Sequence, residues 1–170
     1  ATFDFSTDFE PVVHCVSYSL GFAAAPTLNV KAWPDFLTWA KANPKQVSYG
    51  VSGLGSISHL FGAMMQQVLG FELQVVPFKG GAELNNAVMG GHVPFGIGVT
   101  SDFAEPHKGG RMQILAVSSK QRDLSAPDVP TFIELGYRDL ESEPWFAFFA
   151  PRATPAAAIA AWNEAINAAL

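Results

Sequence analysis

Ser52, Ser56, Ser58 and His59 stand close enough in the chain for a serine and a histidine to meet as nucleophile and base. A nucleophile elbow would need Gly-x-Ser-x-Gly, and Gly50-Val51-Ser52-Gly53-Leu54 has Leu54 where the last glycine belongs. Residues two or three apart also leave no natural third partner, so a serine hydrolase is the weaker alternative here. The glycines carry more information. Gly53 and Gly55 take side chains away from a tight turn, which lets backbone N–H groups approach a ligand closely. Gly53-Leu54-Gly55 lacks the third glycine of a dinucleotide loop, and no Gly-Lys-Ser/Thr is present, so nucleotide chemistry is set aside. What remains is a Gly/Ser loop feeding a helix whose first turn has unpaired N–H groups and partial positive charge. That is a seat for a carboxylate or phosphate. The competing reading is an ordinary tight turn.

The elements that must hold this loop can be read from periodicity. Val47, Tyr49 and Val51 are spaced two apart, as on one face of a strand. From Ser58 the period changes, and Leu60, Met64 and Val68, flanked by Phe61, Met65 and Leu69, form a helical stripe. Upstream, residues 11–20 are β-branched and apolar and predict a strand that 22–25 continue, and 32–43 predict a helix with Pro34 in its first turn. Downstream, strands are expected at 73–78, 93–99, 112–118 and 145–149, the last of them buried. Short helices are expected at 82–89 and 101–107, with about one helical turn at 131–135. A final helix is expected from Thr154, as a hydroxyl cap, and Pro155, with Ile159, Trp162, Ile166 and Leu170 as its apolar stripe. Alternation of this kind predicts an α/β fold, a parallel-rich sheet with flanking helices and right-handed crossovers. Ligands in such sheets sit at the carboxyl ends of the strands. That places 51–58, 79–82 and 98–102 on one rim, where Lys79 is either a solvated turn lysine or an attractor of anions.

Bulk properties narrow the classes. Of the 170 residues 49% are hydrophobic and 15% charged, yet no run approaches the ~20 apolar residues of a membrane span. The net charge of −5 gives no basic footprint for nucleic acid. The lone Cys15 excludes an internal disulfide and reads as a small buried thiol. His14, His59, His92 and His107 are not at metal-ligand spacing, so no metal is expected, and no motif asks for a cofactor. For His59 the first reading is a structural one, locking the loop through a backbone hydrogen bond. The opening at Ala1 without Met and the end at Leu170 inside a helical pattern lead us to expect a segment of a longer protein.

One set of motifs adds a family expectation. Tyr49-Gly50-Val51-Ser52-Gly53-Leu54-Gly55-Ser56-Ile57-Ser58-His59-Leu60 resembles the Gly-x-Gly-Thr-Ser-x-His-Leu loop of the Bug family, the extracytoplasmic solute receptors of tripartite tricarboxylate transporters. Val76-Pro77-Phe78-Lys79-Gly80 resembles the family's Val-Pro-Tyr-Lys-Gly, and Gly90-Gly91-His92-Val93 its Gly-Gly-x-Val-Asp. Leu115 to Ser119, Pro127 to Thr131, Glu134-Leu135-Gly136 and the stretch from Trp145 to Pro155 continue the likeness in order over nearly the whole chain.

The resemblance implies a two-lobed Venus flytrap of the periplasmic-binding-protein type, holding a carboxylate between lobes. It implies 1–30 as a crossing strand from the first lobe, 31–143 as the second ligand-binding lobe, and 144–170 as the return strand and helix. Ligand contacts then fall on Ser52, Gly53, Gly55, Ser56, Ile57, Ser58, His59, Lys79 and Gly80, with no catalytic residue and no metal. The implied partners are a small carboxylate and the membrane components of a tripartite transporter, in the periplasm, with no nucleic acid and no direct membrane span. An effector-binding domain of a transcriptional regulator, which shares the two-lobed design, is the alternative. Three departures suggest a changed ligand: Ile57 replaces the loop serine, Pro94 replaces the Asp after Gly-x-Val, and Gly98 lies where an Asp often reaches the pocket.

Overall fold

The computed structural model describes residues 3–170. Residues 1 and 2, part of the expected crossing segment at 1–30, lie outside them. In chain order the first elements are α1 (Phe5–Asp8), β1 (Phe9–Ser17), β2 (Leu20–Ala24), α2 (Trp33–Ala42), β3 (Ser48–Val51) and α3 (Ile57–Leu69). There follow β4 (Gln74–Pro77), α4 (Gly81–Met89), β5 (Phe95–Val99), α5 (Thr100–Lys108), β6 (Gln113–Val117), β7 (Trp145–Pro151) and α6 (Ala156–Ala169). Single 3-10 turns lie at Pro26–Leu28 and Arg138–Leu140. The chain divides into two compact units, one running up to Ser17 and resuming at Pro144–Leu170, the other Tyr18–Glu143.

The larger unit is a five-stranded sheet in the order β4-β3-β5-β2-β6. β3 is parallel to both β4 and β5, whereas β2 runs antiparallel to β5 and β6. Four strands therefore point one way and one interior strand opposes them, so the sheet is mixed, with a parallel majority and β2 reversed within it. The cause is local: Leu20 pairs with Val99 and Gly21 with Val117, so β2 begins at the end where its neighbours finish.

Both faces of this sheet are covered, which explains why its strands are apolar runs rather than alternating ones. On one face Phe22, Trp33, Phe36, Phe61, Met65, Phe95, Phe132 and Leu140 form a core against α2 and α3. Phe22 is its hub, with ring centroids 4.9 Å from Phe36, 5.3 Å from Phe95 and 5.8 Å from Trp33. On the other face Leu84, Val88, Phe103, Met112 and Ile114 form a second core under α4 and α5. The helical stripe of α3 sits about one position off the expected one. Ser58, Phe61, Gly62 and Met65 are the buried residues, while Leu60 is 60% exposed.

In the smaller unit β1 and β7 pair antiparallel as a two-stranded ribbon, with α6 against β1. The expectation of one strand from 11 to 25 is corrected: it is broken between Ser17 and Leu20, and its halves join different sheets. The expectation of a buried strand at 145–149 is corrected too. Trp145, Phe146 and Phe148 are each more than half exposed, because a two-stranded ribbon covers little of its own surface. α6 has no buried residue, and its cap is Pro155 without a side-chain hydrogen bond, so Thr154 does not cap it.

Among the glycines of the larger unit, Gly62 is the most closely packed. A Cβ there would lie 2.2–2.4 Å from the Tyr49 ring, so the absent side chain is what lets α3 close on β3. Gly62→Ala gains up to about 1 kcal/mol of helix propensity but forces the ring or the helix away, at about 1–3 kcal/mol. We expect a net loss of stability, read as a lowered denaturant midpoint with an unchanged slope.

Candidate functional site

Because β3, β4, β5 and β6 all finish where β2 begins, one end of the sheet gathers five chain segments: 18–19, 52–59, 78–81, 99–102 and 118–123. The loop at 52–56 lies on this rim. Its conformation depends on two glycines, Gly53 at φ +152° and Gly55 at φ +77°, in a region that side chains disfavour. No protein atom comes within 4 Å of a Cβ built at either, so the space beside the loop is open.

Hydrogen bonds within the loop sort the serines into different roles. Ser56 is the N-cap of α3: its Oγ accepts the His59 N–H at 3.3 Å and donates to the Gly53 carbonyl at 2.7 Å. Its proton being spent there, the 3.2 Å contact with Ser58 must be donated by the buried Ser58 hydroxyl. Ser52 Oγ is 3.5 Å from Ser58 Oγ, a long contact, so Ser52 holds the hydroxyl proton least committed to the fold. His59 Nδ1 accepts the Gly55 N–H at 3.0 Å, which is the loop-locking role read from the sequence. No serine hydroxyl of the loop bonds the imidazole.

The first turn of α3 differs from those of its neighbours. α2 has Asp35, whose Oδ2 accepts the Lys31 and Ala32 N–H groups at 3.0 Å. α4 has Glu83, whose Oε2 accepts the Lys79 N–H at 2.7 Å. α5 has Asp102, and its Oδ2 also lies against Gly81, 3.3 Å from where a Cβ would stand at the start of α4. α3 has no acidic residue in its first turn. Its Ile57 and Ser58 N–H groups meet no acceptor among the described residues. Three helices of this unit thus carry a carboxylate of their own at the positive end, and α3 presents that end bare.

Of the residues read as ligand contacts, Gly80 is brought to the loop by its N–H, which donates to the Ser52 carbonyl at 3.2 Å. Lys79 is exposed and makes no ion pair among the described residues. Ile57, at the bare helix end, is 47% exposed, and Leu54 in the loop before it is 66% exposed, so the helix end carries exposed apolar side chains. Gly98 is buried in β5, and a Cβ there would stand 2.7 Å from Phe103 Cζ: the phenyl ring fills the place an acid would need.

Sequence reasoning missed a second polar cluster on the same rim. Ser19 Oγ lies 2.5 Å from Asp123 Oδ2 and 2.6 Å from Thr100 Oγ1, and Asp123 Oδ1 accepts the Ser125 N–H and hydroxyl. Burial raises the Asp123 pKa, but the bonds from Ser125 and Ser19 outweigh it and hold the carboxyl below its ordinary value. These residues are about 80 and 100 positions apart, and no spacing motif marks them.

Residues 1–170 match the family described as tripartite tricarboxylate transporter family receptor. The chain belongs to that family. The chain is 31% identical over 163 residues to protein BugT of Bordetella pertussis, covering 96% of this chain and 50% of that protein. Among solved structures it is similar to the Rhodopseudomonas palustris protein Rpa4515 with adipate, at 30% identity and TM-score 0.89, over 98% of this chain and 56% of that one. It is also similar to the periplasmic binding protein BugD, at 28% identity and TM-score 0.86, over 94% and 54%. The chain spans about half the length of the curated relatives it matches. Among the described residues, none of its helices is long and apolar enough to cross a membrane, and no cluster of His, Cys, Asp and Glu could hold a metal ion.

Two substitutions separate the cap from the turn. Ser56→Ala removes the N-cap acceptor and should cost about 1 kcal/mol of unliganded stability. Gly55→Val has open space for its side chain but must adopt φ near +77°, at about 1–2 kcal/mol for the left-handed conformation. Urea unfolding of both variants checks this; an unchanged midpoint for Gly55→Val would show that the loop does not keep its turn.

Proposed function

We propose that this chain captures a small carboxylate in the periplasm for the membrane components of a tripartite tricarboxylate transporter. The observation that carries the reading is the bare first turn of α3, with the Ile57 and Ser58 N–H groups unpaired beside the least committed hydroxyl, that of Ser52. An anion accepts from donors of this kind, and the carboxylate of adipate, the compound named with Rpa4515, is such a group. Gly53, Gly55 and Gly80 keep the approach open, and Lys79 adds a cation on the same rim.

The reading is one of binding rather than turnover. The loop serines bond one another and the backbone, and the His59 nitrogen that faces the loop is taken by Gly55. A serine–histidine contact does occur in the ribbon, between Ser17 Oγ and His14 Nε2 at 3.2 Å, but among the described residues no carboxylate bonds that imidazole to orient it.

In the two-lobed arrangement we read 31–143 as the second lobe, 1–30 as the strand crossing from the first lobe, and 144–170 as the return to it. Relatives about twice as long and the exposed Phe5, Trp145, Phe148 and Trp162 of the smaller unit support a first lobe that covers that surface. One lobe supplies only part of the grip, so a micromolar receptor (~−8 kcal/mol) would fall to about millimolar (~−4 kcal/mol) with this chain alone.

Titration of the isotope-labelled chain with adipate is the test. The Ile57 and Ser58 amide resonances are expected to move first and to saturate in the millimolar range. Shifts centred on the first turns of α4 or α5 instead would overturn the assignment. In Ile57→Ser an exposed apolar side chain at the helix end gives way to a hydroxyl, and preference should move from adipate toward hydroxylated acids of similar length.

A further inference from the structure

The Gly55 N–H points at His59 Nδ1, 3.0 Å away, so Nδ1 carries the lone pair and the neutral ring holds its proton on Nε2. We propose that His59 is a pH-sensitive latch of the anion-binding loop: the neutral Nε2–H imidazole holds the turn, and protonation releases it. The proposal rests on the carboxylate reading for its effect on the ligand. The latch itself rests on the hydrogen bond alone.

Protonation places a second N–H where the acceptor was. Gly55 N–H and Nδ1–H would then point at each other, and the bond that holds Gly55 to the ring is lost. Gly55 is the residue at φ +77°, and its neighbour Ser56 is the cap from which α3 starts. Gly55 thus lies two and three residues before the Ile57 and Ser58 N–H groups, and release of its N–H is expected to loosen the turn that orients them.

Electrostatics alone would predict the opposite sign, since an imidazolium beside an anion seat should attract the anion. The geometry favours the latch, because the nitrogen aimed at the loop is the one that must lose its lone pair. Of the elements packed on α3, β3 brings Tyr49, whose ring lies against Gly62, and β5 brings no titratable side chain. The Arg138–Leu140 turn brings Arg138 and Asp139, with Glu141 following, and the loop after β4 brings Lys79 through Gly80. None of them hydrogen-bonds or ion-pairs with the imidazole.

Asparagine offers a discriminating control. Its Oδ1 occupies the position of Nδ1 and accepts hydrogen bonds at every pH, whereas the acceptor of glutamine lies one bond further out. His59→Asn should keep the turn and lose its pH dependence. His59→Gln should loosen it throughout.

The experiment is nitrogen-resolved NMR of the 170-residue chain and the two variants, from about pH 8 to about pH 5, where imidazoles titrate. In the unsubstituted chain the ring should appear as the Nε2–H tautomer. The Gly55, Ile57 and Ser58 amides should shift with the same midpoint as the ring, and Gly55 hydrogen exchange, corrected for pH, should speed up. In His59→Asn these amides should not titrate. Repeating the adipate titration at both ends should show affinity falling about two- to tenfold on acidification, the loss of one hydrogen bond. His59→Asn should lack that fall, and any protonation of adipate itself affects both proteins alike. A Gly55 amide indifferent to the ring's titration, an Nδ1–H tautomer, or tighter adipate binding in acid would each overturn the latch. Failure of adipate to bind at any pH would count against the carboxylate reading and leave the amide titration to decide the latch.

Discussion

Burying a sheet on both faces leaves polar chemistry only its ends. Here β3, β5 and β2 lie between an aromatic core built around Phe22 and a second core, of aliphatic residues around Phe103, under α4 and α5. A polar side chain on the body of these strands would need a buried partner, which neither core supplies. Backbone groups at the strand ends and the first turns of the helices are the polar resource that such a layered arrangement keeps accessible. The candidate site follows from that constraint before any residue identity is considered.

Within it, residue identity decides which end stays available. Asp35, Glu83 and Asp102 serve the positive ends of their own helices, and Asp102 also lies against the start of α4. Ser56 serves α3 with a neutral hydroxyl, which satisfies one donor and leaves the dipole uncompensated. The same hydroxyl bonds the Gly53 carbonyl, and the His59 ring bonds the Gly55 N–H, so the turn is held from both sides by groups that bring no carboxylate to it. Rigidity and an empty positive end are thereby obtained together.

Much of this was legible in the chain. The strand, Gly/Ser loop and helix at 47–69 announced themselves by a change of period and by glycine, because local backbone geometry is a local property. The alternation of elements gave the α/β class, and His59 could be placed as the loop's lock from its position in the first turn. The opposed direction of β2 was hidden, since a strand's polarity in a sheet depends on where the chain enters and its side chains look the same either way. The burial at 145–149 was misjudged for a related reason: apolar composition states what could be buried, and only a partner surface buries it. The Ser19–Thr100–Asp123 cluster was invisible because its members meet only once the sheet has formed.

The contact between Gly98 and Phe103 bears on how this site could change over generations. An acidic side chain at 98 has no room while the ring is in place, and removing the ring first opens a void in the second core. Each change is unfavourable without the other, so the two positions form a ratchet. Leu54 and Ile57 in the loop, by contrast, are exposed and can be exchanged one at a time without opening a void.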